Sequence, residues 1–454
     1  MSQSKSNSNV IAIITMCFIF AMISFVTNMG APFGNIWGFT YPFAKSWGNL
    51  MNFAAYLFMG IPSGMLLKKI GYKKTALAAL VVGIIGLALQ YLSSLVGAGT
   101  EVFTYANYES ASWVEGVKVT TTQDIPIALN LIIYLLGAFV CGFCVCMLNT
   151  VVNPMLNMLG GGGNKGNQLI QVGGTLNSLT ATLTPLLAGI LVGTVTENTS
   201  MTDVAPLLFI GMAVFAISFC IIYFVSIPEP NFGDSGSLTE GIKGALRYSH
   251  LIFGVIAIFF YVGVEVGIPM HLNFYVTDFT KGSAAIGGTL AGLYWFMMLI
   301  GRFSSTFISG KISTKIQMTF VSTVAICLLL AAIFIPESNT FTLPGSEKEP
   351  LDLLILKFTG GTVPVKCLFL VLCGLCTSVM WGGIFNLSVE GLGKYTEAAS
   401  GIFMMMVVGG GLMPWLQDII ANSTGTIPSY WLQVAMVAYI LFFAVIGSRV
   451  VNKK

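Results

Sequence analysis

Tyr261-Val-Gly-Val-Glu-Val-Gly-Ile-Pro269 places one carboxylate, Glu265, inside an apolar window running from 249 to 277 of a 454-residue chain. A window of that length is enough to cross a hydrocarbon core about 30 Å thick. An ionisable group at mid-membrane costs about 3 kcal/mol or more to insert, so its retention marks a functional position by default. The rest of the reading follows from this window and its neighbours.

Eleven further windows have the same character, near 10–33, 47–67, 75–96, 126–158, 168–194, 205–227, 284–309, 318–336, 366–391, 399–421 and 429–450. With Glu265 in the seventh, they are numbered here as spans 1 to 12. The composition agrees, at 55% hydrophobic and 9% charged residues, against roughly 25% charged in soluble domains. The first window is too long for a signal-peptide core and lacks a strongly basic leader, so it is expected to be retained as span 1. The expected fold is an all-α membrane protein of twelve transmembrane helices in two pseudo-symmetric six-helix bundles. Its parts are residues 1–227, a linker at 228–248, and residues 249–454.

The loops fix the orientation. With the N-terminus inside, one set of loops carries fifteen of the twenty-one basic residues, including Lys68, Lys69, Lys73, Lys74, Lys311 and Lys315. The other set carries most of the acids, among them Glu101, Glu109, Asp124 and Glu347. The positive-inside rule then puts both termini in the cytoplasm. Neither long outer loop, 97–125 or 337–365, has the apolar content of a domain, and no Gly-rich stretch ends in Lys-Ser or Lys-Thr. An ATPase module and nucleic-acid binding are without support.

The two halves repeat. Asn28-x-Gly30-x-Pro32 matches Glu265-x-Gly267-x-Pro269 at an offset of 237, and Lys69-x-x-x-Lys73 matches Lys311-x-x-x-Lys315 at 242. Asn153 matches Asn386 at 233, and Pro185 matches Pro414. Matches in order at nearly constant offset predict duplicated halves with a site between them.

Polar residues in spans 1, 4, 7 and 10 are expensive in lipid and inexpensive beside water, and are expected to face inward. Candidate substrate-binding residues are Asn28, Asn149, Asn153, Asn177, Trp381 and Asn386. Asn149, Asn153 and Asn157 follow one another at i, i+4 and i+8, along one helical face. A carboxamide both donates and accepts, as a sugar hydroxyl does, and an indole suits the C–H face of a sugar ring. The competing role for these amides is helix-to-helix hydrogen bonding. Glu265 is the candidate for ion coupling, as proton carrier or as a ligand of Na+ together with Asn28, or else it is the structural partner of a nearby donor. Arg302, at the inner end of span 8, is expected to pair with an acid or a lipid phosphate. His271 and Asp418 are expected to be solvated near the outer surface.

Nine cysteines lie in or beside the spans, two groups of them at metal-like spacings, Cys141-x-x-Cys144-x-Cys146 and Cys373-x-x-Cys376. No His or carboxylate stands near in sequence to complete a site, so they read as small packing residues. Neither a resident metal nor a cofactor is expected, and no reactive cluster suggests an enzyme.

Five stretches resemble the fucose permease-like sugar symporters of the major facilitator superfamily. They are Ile61-Pro-Ser-Gly-Met-Leu-Leu-Lys-Lys-Ile-Gly-Tyr-Lys-Lys74, Tyr261-Val-Gly-Val-Glu-Val-Gly267, Leu293-Tyr-Trp295 with Gly301-Arg-Phe303, Gly391-Leu-Gly-Lys-Tyr-Thr396, and Gly409-Gly-Gly-Leu-Met-Pro414. The resemblance implies rocker-switch alternating access and uptake of a monosaccharide or related sugar across the bacterial inner membrane, by a monomer. Fucose permease-like proton symporters place an Asp and a Glu where this chain has Asn28 and Asn149. An amide does not titrate, which leaves Glu265 as the main ion candidate, with H+ or Na+ as the co-transported ion. An uncoupled facilitator, an exporter of drugs or metabolites, and a sugar sensor are the alternatives.

Overall fold

The apolar windows are α-helices in the computed structural model, which describes residues 2–28, 33, 36–37, 40–41, 44, 47–114, 117–192, 201–225, 227, 229, 238–280, 284–345, 351–353, 356–358 and 360–450. Span 1 is Ser2–Asn28. Spans 2 and 3 form a single helical stretch, Trp47–Leu92, broken at Gly71, where φ is 82° and ψ 174°. A side chain is strained at such a φ, so glycine is what lets the chain double back between the two lysine pairs. Span 4 is Leu129–Leu159, span 5 Gly163–Val192 and span 6 Ala205–Phe224. A short helix, Leu238–Ala245, precedes span 7, Ser249–Phe279. Span 8 is Ala284–Ile308 and span 9 Thr314–Phe334.

Spans 10 and 11 are interrupted, and span 12 changes winding at its end. Span 10 is Lys366–Thr377 and Met380–Val389, and span 11 is Thr396–Met405 and Gly409–Thr424 joined by a 3₁₀ turn. Span 12, Thr426–Phe442, ends in a π turn at Phe443–Gly447. Irregular backbone at membrane depth is tolerated where protein or a water-filled cavity covers it. Ten stretches are apolar and long enough to span. Trp47–Leu92 holds two passes, and the thirty-residue Gly163–Val192, about 45 Å long, supplies the twelfth. The chain is a multi-pass membrane protein with the expected twelve helices.

One addition was not expected. The two long loops carry hairpins: Glu101–Val114 pairs with Val117–Ala128, Thr340–Thr342 with Thr362–Pro364, and Leu351–Leu353 with Leu356–Phe358, all antiparallel. These mark one end of the molecule as the hairpin face. The opposite end, where span 1 begins and span 12 finishes, is called the terminal face.

Small residues set the helix spacing. A Cβ added at Gly86 would stand 2.6 Å from Cys141 Sγ, and one at Gly137 would stand 2.8 Å from the backbone nitrogen of Gln90. Cys141 and Cys144 therefore lie between closely packed backbones of spans 3 and 4. Near Gly71 the carboxylate of Glu229 accepts from the N–H groups of Tyr72 (2.8 Å) and Lys73 (3.1 Å). In return Lys73 Nζ donates to the carbonyls of Tyr223 and Val225, both at 2.8 Å, at the end of span 6. The start of span 3 and the end of span 6 are thus tied reciprocally.

Candidate functional site

Glu265 sits one turn before Pro269 in span 7. Proline has no N–H to return to the carbonyl four residues earlier, so the Glu265 carbonyl lacks its usual helical donor beside the one carboxylate of this span's midsection. The Oε1 atom of Glu265 accepts from Tyr261 Oη at 2.8 Å and from Arg302 Nη2 at 3.1 Å. Arg302 is thus paired with an acid, and Glu265 has the donor partner that was one of its three readings.

The guanidinium does more than balance that charge. Its Nη1 donates to Ser178 Oγ (2.8 Å), to the Gly174 carbonyl (3.3 Å) and to Asn177 Oδ1 (3.4 Å), all on span 5. Its Nε reaches the Ser378 carbonyl at 3.3 Å, in the interruption of span 10. One cation of the C-terminal half therefore holds span 5 of the N-terminal half. At 7% exposure it is buried, and its planar fork suits this multiple contact.

Above this pair lies a cavity of about 510 Å³ between the halves, within the usual range for small-molecule sites. Asn149, Gln171, Asn177, Glu265, Asn273, Trp295 and Trp381 line it, with Thr27 and Asn49 toward the hairpin face. Asn149 donates through Nδ2 to Tyr56 Oη at 3.0 Å, and Asn177 donates to the Phe20 carbonyl at 2.8 Å. The Trp381 ring lies 6.2 Å from both Tyr261 and Phe403, centroid to centroid, which fixes its plane at the cavity floor.

Below the floor the two halves close on one another. Trp381 Nε1 donates to Asn153 Oδ1 (3.0 Å), and Asn157 Nδ2 to Asn386 Oδ1 (2.7 Å). Gln171 Nε2 reaches the Val379 carbonyl (3.1 Å), Gln168 Nε2 the Thr306 carbonyl (2.8 Å), and Asn164 Oδ1 accepts from the N–H of Thr314 (3.1 Å). Spans 2 and 11 approach to backbone contact, since a Cβ at Gly401 would stand 2.7 Å from the Gly60 carbonyl. The cavity is sealed toward the terminal face.

The predicted residues divide between these two regions. Asn149, Asn177, Glu265 and Trp381 line the cavity, whereas Asn153 and Asn386 lie beneath it in the seal, at 0% and 4% exposure. Asn28 ends the described helix of span 1, and its side chain lies outside the described residues. Pro185's side chain does so as well. His271 departs from expectation. It is 1% exposed, with Nδ1 3.0 Å from the Gly267 carbonyl and Nε2 2.8 Å from Asp418 Oδ1. Packing of span 7 against span 11 removes it from solvent, while Asp418 stays half-exposed as expected. Asn273, one of the span 7 polar residues expected to face inward, lines the cavity. Gln171 and Ser178 were not singled out by the sequence, their only signal being polarity inside span 5.

Comparison with known proteins completes the picture. The chain is 25% identical over 403 residues to a glucose/galactose transporter of Brucella abortus, covering 87% of this chain and 84% of that one. It is 26% identical over 465 residues to a putative glucose/galactose transporter of Helicobacter pylori, covering 98% of each. A crystal structure of a variant of the Escherichia coli fucose:proton symporter, FucP, superposes with a TM-score of 0.75 at 19% identity, over 97% of this chain and all of that one. The model of the Major Facilitator Superfamily matches residues 11–413. A twelve-span, two-bundle chain that this model covers over most of its length belongs to the Major Facilitator Superfamily.

Proposed function

We propose that this protein is a secondary active transporter that imports a monosaccharide or related sugar by alternating access, coupled through Glu265 to H+ or Na+. The observation that carries the reading is a cavity between the halves, lined by carboxamides and two indoles and sealed on one side. Amides match hydroxyls in donor and acceptor, and an indole face covers the apolar side of a sugar ring. The names of the relatives support a hexose as the substrate class.

In this reading residues 1–227 and 249–454 are the two moving bodies and 228–248 is the cytoplasmic linker. The protein sits as a monomer in the bacterial inner membrane with both termini in the cytoplasm. The sealed terminal face is then the cytoplasmic one and the state described is outward-facing. Asn149 and Trp381 meet the sugar directly, with Asn28 and Asn177 flanking them. Asn153 and Asn386 hold the floor and contact sugar when the seal parts. No cofactor is needed, because the ion gradient supplies the driving force.

The test is thermal stability of the purified protein with hexoses, deoxyhexoses and disaccharides, each in sodium and in potassium at two pH values. Ligand at a hundredfold its Kd stabilises the folded state by about 2.7 kcal/mol, which raises the midpoint. A sugar-specific rise is expected, enhanced by the coupling ion. No rise with any sugar in any buffer would overturn the reading.

A further inference from the structure

A smaller chamber lies beside the sugar cavity, within the N-terminal half. It has a volume of about 20 Å³ and sits among spans 1 to 4, with Thr27, Asn49, Asn52, Gln90, Tyr134 and Cys141 in its walls. Thr27 and Asn49 also line the large cavity, so the two spaces share a wall, whereas Glu265 lines the large cavity alone. We propose that this chamber binds one monovalent cation of the size of sodium, and that the bound ion orients Asn49 and Thr27 at the rim of the sugar site. Binding of the ion stands apart from coupling at Glu265, while its effect on sugar rests on the transport reading.

The walls present oxygen lone pairs with few hydrogens to match them. Thr27 Oγ1 gives its only hydrogen to the Ile23 carbonyl at 2.8 Å, so toward any other group it can only accept. Gln90 Nε2 donates to Cys141 Sγ at 3.3 Å, which leaves the carboxamide oxygen on the other arm. Asn52 Oδ1 is buried and has no donor among the described residues. An acceptor left in that state is costly, and folded proteins supply such atoms with a donor, an ordered water or an ion. Gly48 completes the wall, because a Cβ there would collide with Tyr134 Oη and displace the phenol.

Size and charge select the occupant. The chamber's 20 Å³ exceeds the roughly 10–15 Å³ that one water-sized particle needs, so it admits a single particle of that size. Carboxamide and hydroxyl oxygens are hard ligands suited to a hard cation. A divalent ion calls for carboxylates, and no acid is among the described residues that line the chamber. A sodium ion in contact with oxygens fills about the space of a water molecule, and potassium is larger. The ion adjoins the large cavity, where water completes its coordination, so the charge is not fully desolvated. Drawing the Asn49 oxygen toward the ion leaves the NH₂ group of that amide to face the sugar cavity as a donor.

The experiment is a sodium titration of the purified full-length protein without sugar, potassium replacing sodium at constant ionic strength, with the thermal midpoint as readout. The parent and Glu265→Gln are each expected to show a saturable rise with sodium that potassium does not give. Asn52→Ala and Thr27→Val are expected to lose that rise. Asn52→Asp, which adds a charge to the oxygen set, is expected to lower the half-saturating sodium concentration at least about tenfold at alkaline pH. It reports on the site even where the two truncations fold poorly. A bound sugar is expected to lower the same concentration in the parent, since coupling between two sites is reciprocal. Equal midpoints of the parent in sodium and potassium show that the chamber holds water only and overturn the proposal. A rise lost in Glu265→Gln but kept in Asn52→Ala puts sodium at the acid and overturns it as well, and a sodium affinity unmoved by a sugar that binds overturns the link to Asn49. A sodium rise with no response to any sugar keeps the site and rejects the transport reading, whereas a sugar response without sodium specificity rejects this inference alone.

Discussion

The two halves of the molecule bring different chemistry to the same cavity. Span 4 of the N-terminal half contributes Asn149 to the lining and Asn153 and Asn157 to the floor, and span 5 adds Gln171 and Asn177. Span 7 of the C-terminal half contributes Glu265, an acid paired with Arg302. Asn28 is the sequence counterpart of Glu265, so duplication has left an amide on one side and an acid on the other. Under the proposed function, recognition and energising are not shared between the repeats, because neutral hydrogen-bonding groups match hydroxyls without a charge to desolvate and a single acid is enough to take up an ion.

The sharpest way to break this division is to remove its charge. Glu265→Gln is expected to abolish accumulation of sugar against a gradient while sugar-driven exchange continues, as measured in proteoliposomes. Concentrative uptake that persists would remove Glu265 from coupling. Next in size, Asn149→Asp puts a charge into the neutral half, at a position 5% exposed whose partner is Tyr56. A buried carboxylate without a cation costs about 3 kcal/mol or more. The thermal midpoint is therefore expected to fall at neutral pH and to recover on acidification, where the added carboxyl is protonated. A pH-independent midpoint would show that water reaches this site freely.

A smaller effect sharpens the role of the floor. Asn153→Ala leaves the Trp381 N–H without its acceptor at the cavity base, and a buried donor left unpaired costs about 1–3 kcal/mol. Sugar affinity is expected to weaken by about fivefold to a hundredfold by calorimetry, and unaltered affinity would assign Asn153 to packing. The smallest change is expected from His271→Gln. The Gly267 carbonyl can only accept, so Nδ1 carries a hydrogen, while Nε2 lies 2.8 Å from Asp418 Oδ1. Because Asp418 is 43% exposed, solvent screens the pair and its loss is worth about 1 kcal/mol or less. Transport is expected to be unchanged and the midpoint to drop slightly. A large loss of transport would extend this half's role to the end of span 7 nearer the hairpin face.

Much of the fold was legible because a bilayer imposes a simple rule: twelve apolar windows, and lysines gathered in alternate loops. Glu265 and Trp381 were legible for a related reason, since a charge or an indole at mid-span is conspicuous. The partners were not. Gln168 meets Thr306 and Gln171 meets Val379 across more than 130 residues, and no local pattern encodes such a meeting. The row Asn149, Asn153 and Asn157 was read correctly as one face. Its two deeper members are committed to the opposite bundle, as the helix-to-helix alternative held. The hairpins were missed although their cue was present, because Thr, Val and Tyr crowd 101–128 and favour strands.

The reciprocal tie around Gly71 carries a consequence for how the chain is made. Glu229 stands 157 positions after the N–H group of Tyr72 that it accepts from. At about 5–20 residues per second, the ribosome takes roughly 10 to 30 seconds to deliver it. For that interval the start of span 3 has no such acceptor, and Lys73 has no span 6 to hold. The first bundle is therefore complete at this end only once its sixth span has been synthesised. Glu229 acts as a fastening inserted last, and a ribosome stalled just before it would leave six helices made but not secured at this end.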